Sequence, residues 1–421
     1  MKRIFLIITL VACALICATA HPKTTAHIAY ALRTDSIMPE DSVQADTVID
    51  NIRAEESLRA RVTKLLDNDI FERTQVGLYI YDLTADTLVI AYHERQCMRP
   101  ASNEKLMTAI TALNDLGVNY QYNTRLYVDQ LPLEGDSIFS GHVYIRAGYD
   151  PLFNADDMHA FARELKAHGI TRITSPICLD LSMKDDKLLG WGWCWDDDEV
   201  PTTPLLFNNR DTFIENMRRI FQAEDIEWDG TTTEHRTPSG ATLLCNRTHN
   251  IDDVLVPMMK KSNNSMAESM FYQIAAQGDR TKVGRKQAVA HYNALISHIG
   301  LDPSHYQIAD GSGLSLYNYL TPELLGRMLR YAYNDDDIFR HLHQSLPIAG
   351  RDGTLRKRMR GTSAAGNVHA KTGTVEGVST LSGYCPTAQG NVLCFSIMNQ
   401  GIRHTSTGRN FQDRVCKALC K

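Results

Sequence analysis

Three short patterns in the 421-residue sequence carry residue types that could together perform acyl transfer. Ser102-Asn103-Glu104-Lys105 is an S-x-x-K that follows Arg99-Pro100-Ala101 and opens an apolar run. On a helix, side chains three residues apart share a face, so Ser102 and Lys105 could touch. A serine hydroxyl is a poor nucleophile at its own pKa and needs a base beside it. Lysine becomes that base when burial and neighbouring charge lower its pKa. Ser262-Asn263-Asn264 is an S-x-N ahead of a second apolar stretch, and Lys371-Thr372-Gly373-Thr374 is a K-T-G-T. The cation and hydroxyls of the latter suit a carboxylate, and a glycine there lets substrate come close to the edge-strand backbone.

Each pattern alone has a bland explanation. About one S-x-x-K arises by chance in a chain of this length and composition, and an N-cap serine followed by a solvated lysine would read the same. The S-x-N could be a polar loop capping the next helix, and the K-T-G an ordinary turn. Coincidence is a poor account of all three, once each and in this order.

Such groups need a scaffold, and the periodicity supplies one. Val76–Tyr81 with Thr87–Tyr92, and Ser379–Cys385 with Val392–Met398, read as two β-hairpins that could share an antiparallel sheet. Helical spacing runs through Ile52–Leu66, Leu106–Leu113, Asp252–Lys261, Ala267–Ala276, Leu324–Tyr333 and Phe411–Leu419. Strands near both ends with helices between predict an α+β fold, an antiparallel sheet flanked by helices and closed by the terminal segments. Val118 to about Pro238 has its own strands (Arg125–Val128, His142–Arg146, Ile177–Leu181) and two helices (Asp156–His168, Thr212–Ala223). It reads as one α/β domain inserted between the first and second motifs. The expected organisation is a signal peptide at 1–20, a flexible lead-in at 21–50, catalytic segments at 51–117 and 239–421, and the insert at 118–238.

Composition narrows the class. With 43% hydrophobic and 22% charged residues the chain is ordinary globular protein. A net charge of -5 without a Lys/Arg run argues against a nucleic-acid partner. Met1-Lys2-Arg3, the apolar run Ile4–Ile16 and Ala18-Thr19-Ala20 form the basic, apolar and small-residue regions of a secretory signal. An exported, periplasmic protein is expected, with a lipid anchor through Cys13 as the alternative and no transmembrane segment in the mature chain. Eight of the ten cysteines would survive cleavage. Cys385 and Cys394, flanking a hairpin, are the candidate pair. No cysteine spacing is that of a zinc site, so neither a metal nor a cofactor is expected.

The ordered motif set resembles that of penicillin-binding proteins and class A β-lactamases. Further stretches resemble the class C low-molecular-mass penicillin-binding proteins, the D-alanyl-D-alanine carboxypeptidase/endopeptidase family: Arg99-Pro100-Ala101-Ser102, Gly148-Tyr149-Asp150-Pro151, Gly190-Trp191-Gly192-Trp193, Asp310-Gly311-Ser312-Gly313-Leu314-Ser315, Asp352-Gly353-Thr354-Leu355 and Ala370 through Gly383-Tyr384. The resemblance implies a serine β-lactamase/DD-peptidase-like fold and an acyl-enzyme on Ser102, formed from peptidoglycan stem peptides. β-Lactams would be covalent inhibitors. It implies Lys105 as the base, Ser262 as relay to the leaving amine, Asn264 as the group orienting the acyl side, and Lys371 as the source of the local field. Thr372, Gly373 and Thr374 would meet the terminal carboxylate, with the oxyanion between the N–H groups of Ser102 and Thr374. Asp150 would lie near the stem-peptide side chain, although Tyr149 replaces the commoner glycine beside it, and Asn263 stands where many relatives carry aspartate. The rival readings are a serine β-lactamase, disfavoured by the lack of an E-x-x-L-N pentapeptide, and a non-catalytic peptidoglycan-binding protein. The tryptophans at 191–195 are expected to pack at the insert's base, and His369 to be structural.

Overall fold

Residues 75–82, Gln-Val-Gly-Leu-Tyr-Ile-Tyr-Asp, bury every side chain but the first, as a strand does when layers cover both faces of its sheet. The computed structural model describes residues 56–132, 137–197 and 199–421. The expected signal segment, Cys13 and the 21–50 lead-in lie outside the described residues. Strands β1 (Gln75–Asp82) and β2 (Thr87–Tyr92) precede the S-x-x-K segment. Between it and the S-x-N come β3 (Gln121–Val128), β4 (Ile138–Phe139), β5 (Val143–Arg146), β6 (Arg172–Ile173), β7 (Ile177–Asp180), β8 (Glu227–Trp228), β9 (Thr232–Glu234) and β10 (Thr242–Asn250). Last are β11 (His369–Val375), β12 (Val378–Pro386) and β13 (Val392–Gln400).

The two expected hairpins do share a sheet, of order β11-β12-β13-β1-β2, antiparallel throughout. Alternate β1 side chains enter opposite layers. Leu78 and Ile80 join Leu58 and Val62 of the helix at 56–66, and Val415 and Leu419 of the C-terminal helix Thr405–Leu419. Tyr79 and Tyr81 join the layer built by helices Glu104–Asp115, Ile251–Lys260, Asn264–Ala275 and Pro322–Tyr333. The expected α+β architecture is therefore the observed one.

The cysteine expectation is corrected by the same alternation. Cys394 lies opposite Tyr384 in the β12–β13 register, and Cys385 opposite Leu393. Cys385 therefore faces the layer of the terminal helices and Cys394 the other one. Both are free thiols, and Cys385 shares its layer with Cys416 and Cys420.

The segment expected as an insert forms a five-stranded sheet, β10-β3-β5-β7-β9, antiparallel from β10 to β5 and parallel from β5 to β9, beside a small parallel sheet β4-β6-β8; the edge strand β10 lies beyond the expected boundary at Pro238, because it pairs with β3. Helices Ala155–Ala167 and Phe213–Ala223 supply Phe161, Leu165, Phe213, Met217 and Phe221 to its own core. No helix among the described residues is long and apolar enough to cross a membrane.

Candidate active site

Ser102 sits in a single 3-10 turn, Ala101–Asn103, that leads into the helix Glu104–Asp115. Ala101 has φ +47°, a left-handed conformation that a residue with a side chain holds only when its surroundings enforce it. The enforcement is visible. Thr380 donates its hydroxyl to Pro100 O at 2.8 Å. A Cβ on Gly313 would lie 1.9 Å from Ala101 O, and one on Gly373 would lie 2.6 Å from Pro100 O. These glycines give the nucleophile's turn its space, so the backbone that Gly373 admits includes the protein's own.

Lys105, one turn along, is fully buried. Its three donors reach Ser102 Oγ at 3.1 Å, Asn264 Oδ1 at 2.7 Å and Ser312 O at 2.7 Å. Desolvation lowers its pKa to about 8 against the opposing field of Asp310, Glu268, Glu199 and Glu104. An amine this close to a serine hydroxyl, titrating near neutral pH, can take the hydroxyl proton.

Ser262, with φ +61°, occupies the turn between helices Ile251–Lys260 and Asn264–Ala275. Asn263 caps the second helix by accepting from Met266 N at 2.9 Å, so the middle residue of the S-x-N is structural. Lys371, buried on β11, donates to Ser262 Oγ and to Thr372 O, each at 2.8 Å. Burial, and then the neighbouring Lys105, hold Lys371 well below the usual lysine range. Asn103 joins the two halves, its amide oriented to donate to Lys371 O at 2.8 Å and to accept from Ser382 Oγ.

Ser102, Ser262, Thr372 and Thr374 line one cleft of about 520 Å³. Its rim carries Arg356, Lys357, Arg358 and Arg409. Arg358 is paired with Asp413 at 2.7 Å. Arg409 Nη2 lies 3.4 Å from Thr374 Oγ1, and Thr372 bonds Thr354 at 2.8 Å. A larger cavity of about 790 Å³ on the insert, between Arg172, Phe221 and Trp228, contains neither a serine nor a lysine.

The family model for the D-Ala-D-Ala carboxypeptidase 3 (S13) peptidases matches residues 58–206 and 205–420. The chain belongs to that family. It is 26% identical to a D-alanyl-D-alanine carboxypeptidase of Actinomadura, over 82% of this chain and 81% of that one. It is 24% identical to the D-alanyl-D-alanine carboxypeptidase DacB of Haemophilus influenzae, over 80% and 87%. Penicillin-binding protein 4 of H. influenzae superposes with TM-score 0.75 at 21% identity, covering 86% of this chain and 98% of that one. A predatory endopeptidase of Bdellovibrio bacteriovorus superposes at 0.53, with 17% identity over 82% and 94%. The class C penicillin-binding-protein resemblance is borne out, and this S13 chain is a serine peptidase.

One expected contact of this S13 peptidase does not join the others. Asp150 is buried, accepts from Leu152 N at 2.9 Å and pairs with His249 Nδ1 at 2.6 Å, away from the Ser102 cleft. Tyr149 before it has φ +47°, and the His249 that holds the carboxylate lies on β10. Sequence reasoning missed Glu199, whose carboxylate accepts from Asn264 Nδ2, and the acids behind Lys105. Glu268 accepts from Gly311 N and Ser312 N. Asp310 accepts from Trp193 Nε1, Gly313 N, Ser315 N and Asn318 Nδ2. Only the D-G-S-G-L-S stretch hinted at this group. Trp193 is buried, whereas Trp195 is 90% exposed, so the tryptophan cluster packs only in part.

Proposed function

We propose that Ser102 is the acylated nucleophile of an exported DD-peptidase acting on peptidoglycan stem peptides. The observation carrying this reading is the bonded chain Ser102–Lys105–Asn264 next to Lys371–Ser262. It offers a nucleophile with its base, and a second hydroxyl with its own cation. In the reaction, Ser102 Oγ attacks the penultimate D-Ala carbonyl carbon while Lys105 in its amine form takes the proton. The oxyanion lies between the N–H groups of Ser102 and Thr374. Ser262, held by Lys371, relays the proton taken by Lys105 to the amine as its C–N bond breaks. Water then cleaves the ester, restoring Ser102.

The cleft's composition supports a substrate ending in carboxylate. Thr372, Thr374, Arg409 and the buried Lys371 are the groups such an end would meet, and an anion there would favour the charged form of Lys371. Export rests on the N-terminal sequence pattern. Product analysis on purified muropeptides tests the reading. Release of D-Ala from pentapeptides, or conversion of cross-linked dimers to monomers, abolished by Ser102→Ala, is expected. Unchanged muropeptides with rapid penicillin turnover would favour a β-lactamase instead.

A further inference from the structure

The loop 184–207 leaves the insert and lies against the reaction centre. Trp193 Nε1 donates to Asp310 at 2.8 Å. Thr202 closes the loop on itself through Leu188 O at 2.9 Å and Lys187 O at 2.8 Å, and Pro204 O accepts from Tyr149 N at 2.8 Å. Between these anchors Glu199, half-buried, accepts from Asn264 Nδ2. The other end of that amide, Oδ1, accepts from Lys105 Nζ at 2.7 Å. A carboxylate only accepts and an ammonium only donates. An amide held between them therefore has one satisfactory orientation, oxygen toward Lys105 and nitrogen toward Glu199.

We propose that Glu199 is a positioning residue for the chemistry at Ser102: a latch that the insert's loop sets on Asn264 and that the incoming stem peptide opens. The proposal rests on the assignment of Ser102, Lys105 and Asn264 made above. Asn264 Nδ2 is the donor proposed to orient the acyl side of the substrate, and in the free enzyme Glu199 holds it. The amide nitrogen has two N–H groups, and the latch opens where the substrate takes the one that Glu199 holds, displacing the carboxylate.

That displacement changes the field on the base. Lys105 is faced by Glu104 on its own helix, Glu268 on Asn264–Ala275, Asp310 in the loop before Asn318, Glu199 on the insert and Lys371 on β11. Glu268 and Asp310 are buried and tied to backbone N–H groups, and Glu104 is buried beside Gly313. Glu199 is the half-exposed one of the four carboxyl groups. When its charge leaves Asn264, the Lys105 ammonium loses support and gives its proton to solvent more readily. The base is then released as the substrate arrives.

Glu199→Gln keeps the shape and removes the charge. The test is the rate of Ser102 acylation by a fluorescent penicillin across pH, on the full chain, with thermal melting as the check on folding. The acid limb is expected to move down by about one pH unit, so that acylation at pH 6 rises by up to about tenfold. Glu199→Asp, which keeps the charge, should leave the limb at its wild-type position, a rescue that a merely structural role would not give. Glu199→Ala carries the same expected shift and serves if the glutamine variant does not fold. A neutral variant that melts and labels normally, but whose limb overlies the wild type's, would overturn the proposal alone. A wild-type chain that takes no penicillin on Ser102 would overturn both the latch and the site assignment beneath it.

Discussion

Buried charge is handled in opposite ways by the insert and by the reaction centre. In the insert the buried acids are matched to partners: Asp150 has His249 at 2.6 Å, Asp157 has Arg247 at 2.7 Å, and Asp180 accepts from Ser182 N and Thr237 N. At the reaction centre Lys105 and Lys371 are both fully buried, and the charge of Lys105 disfavours that of Lys371. Glu104 beside them has two buried oxygens without a hydrogen-bond partner, and desolvation raises its pKa well above the usual carboxyl range. Paired ions hold a structure in place. Crowded, mismatched ones hold groups near the point of proton exchange, which is what acid–base chemistry requires.

The contrast can be broken most forcefully at Lys105. Lys105→Ala should slow penicillin acylation by about 10²- to 10⁴-fold, the usual worth of a positioned base, without a comparable loss of thermal stability. In the wild type, acylation should rise with pH through about 8, where Lys105 becomes the free amine. A rate that is flat from pH 6 to 9 would take the base role away from it.

Asp150→Asn should do the reverse. Breaking its pair with His249 costs on the order of 3 kcal/mol of stability, read as a lower Tm, while the folded fraction still acylates at the wild-type rate. Hydrogen bonding to Asp150 raises the His249 pKa above its ordinary 6.5. The pair's contribution is therefore complete below pH 6.5 and lost as the pH climbs through the raised folded value. The Tm gap between variant and wild type should narrow at alkaline pH.

Glu104→Gln sharpens the comparison through its small effect. Burial favours the neutral form of the Glu104 carboxyl, which an amide closely imitates, so the acylation pH profile should move by less than about 0.3 unit. A large shift would mean that Glu104 is ionised and acts on Lys105 as a charge.

The sequence made some of this legible and hid the rest for physical reasons. The S-x-x-K could be read because three residues on a helix fix a contact, and Lys105 does bond Ser102. The sheet could be read because β1, β2, β12 and β13 are apolar and bounded by turns. Strand β11 was missed as a strand, since His-Ala-Lys-Thr-Gly-Thr-Val has no apolar period and takes its place by pairing with β12. The helix Arg285–His298 was missed because it buries only Ala288, Tyr292, Leu295 and Ile296. Cys385 and Cys394 looked like hairpin neighbours, but a one-residue offset in register puts them on opposite faces. Glu199 had no local signal, because its partner Asn264 is 65 residues away and reached only by the folded loop.

The most direct test of the central claim is intact-mass measurement and peptide mapping after benzylpenicillin. One penicilloyl adduct on the peptide containing Ser102, absent from Ser102→Ala, is the predicted result. An adduct on another residue, or none on a folded chain, would contradict the account.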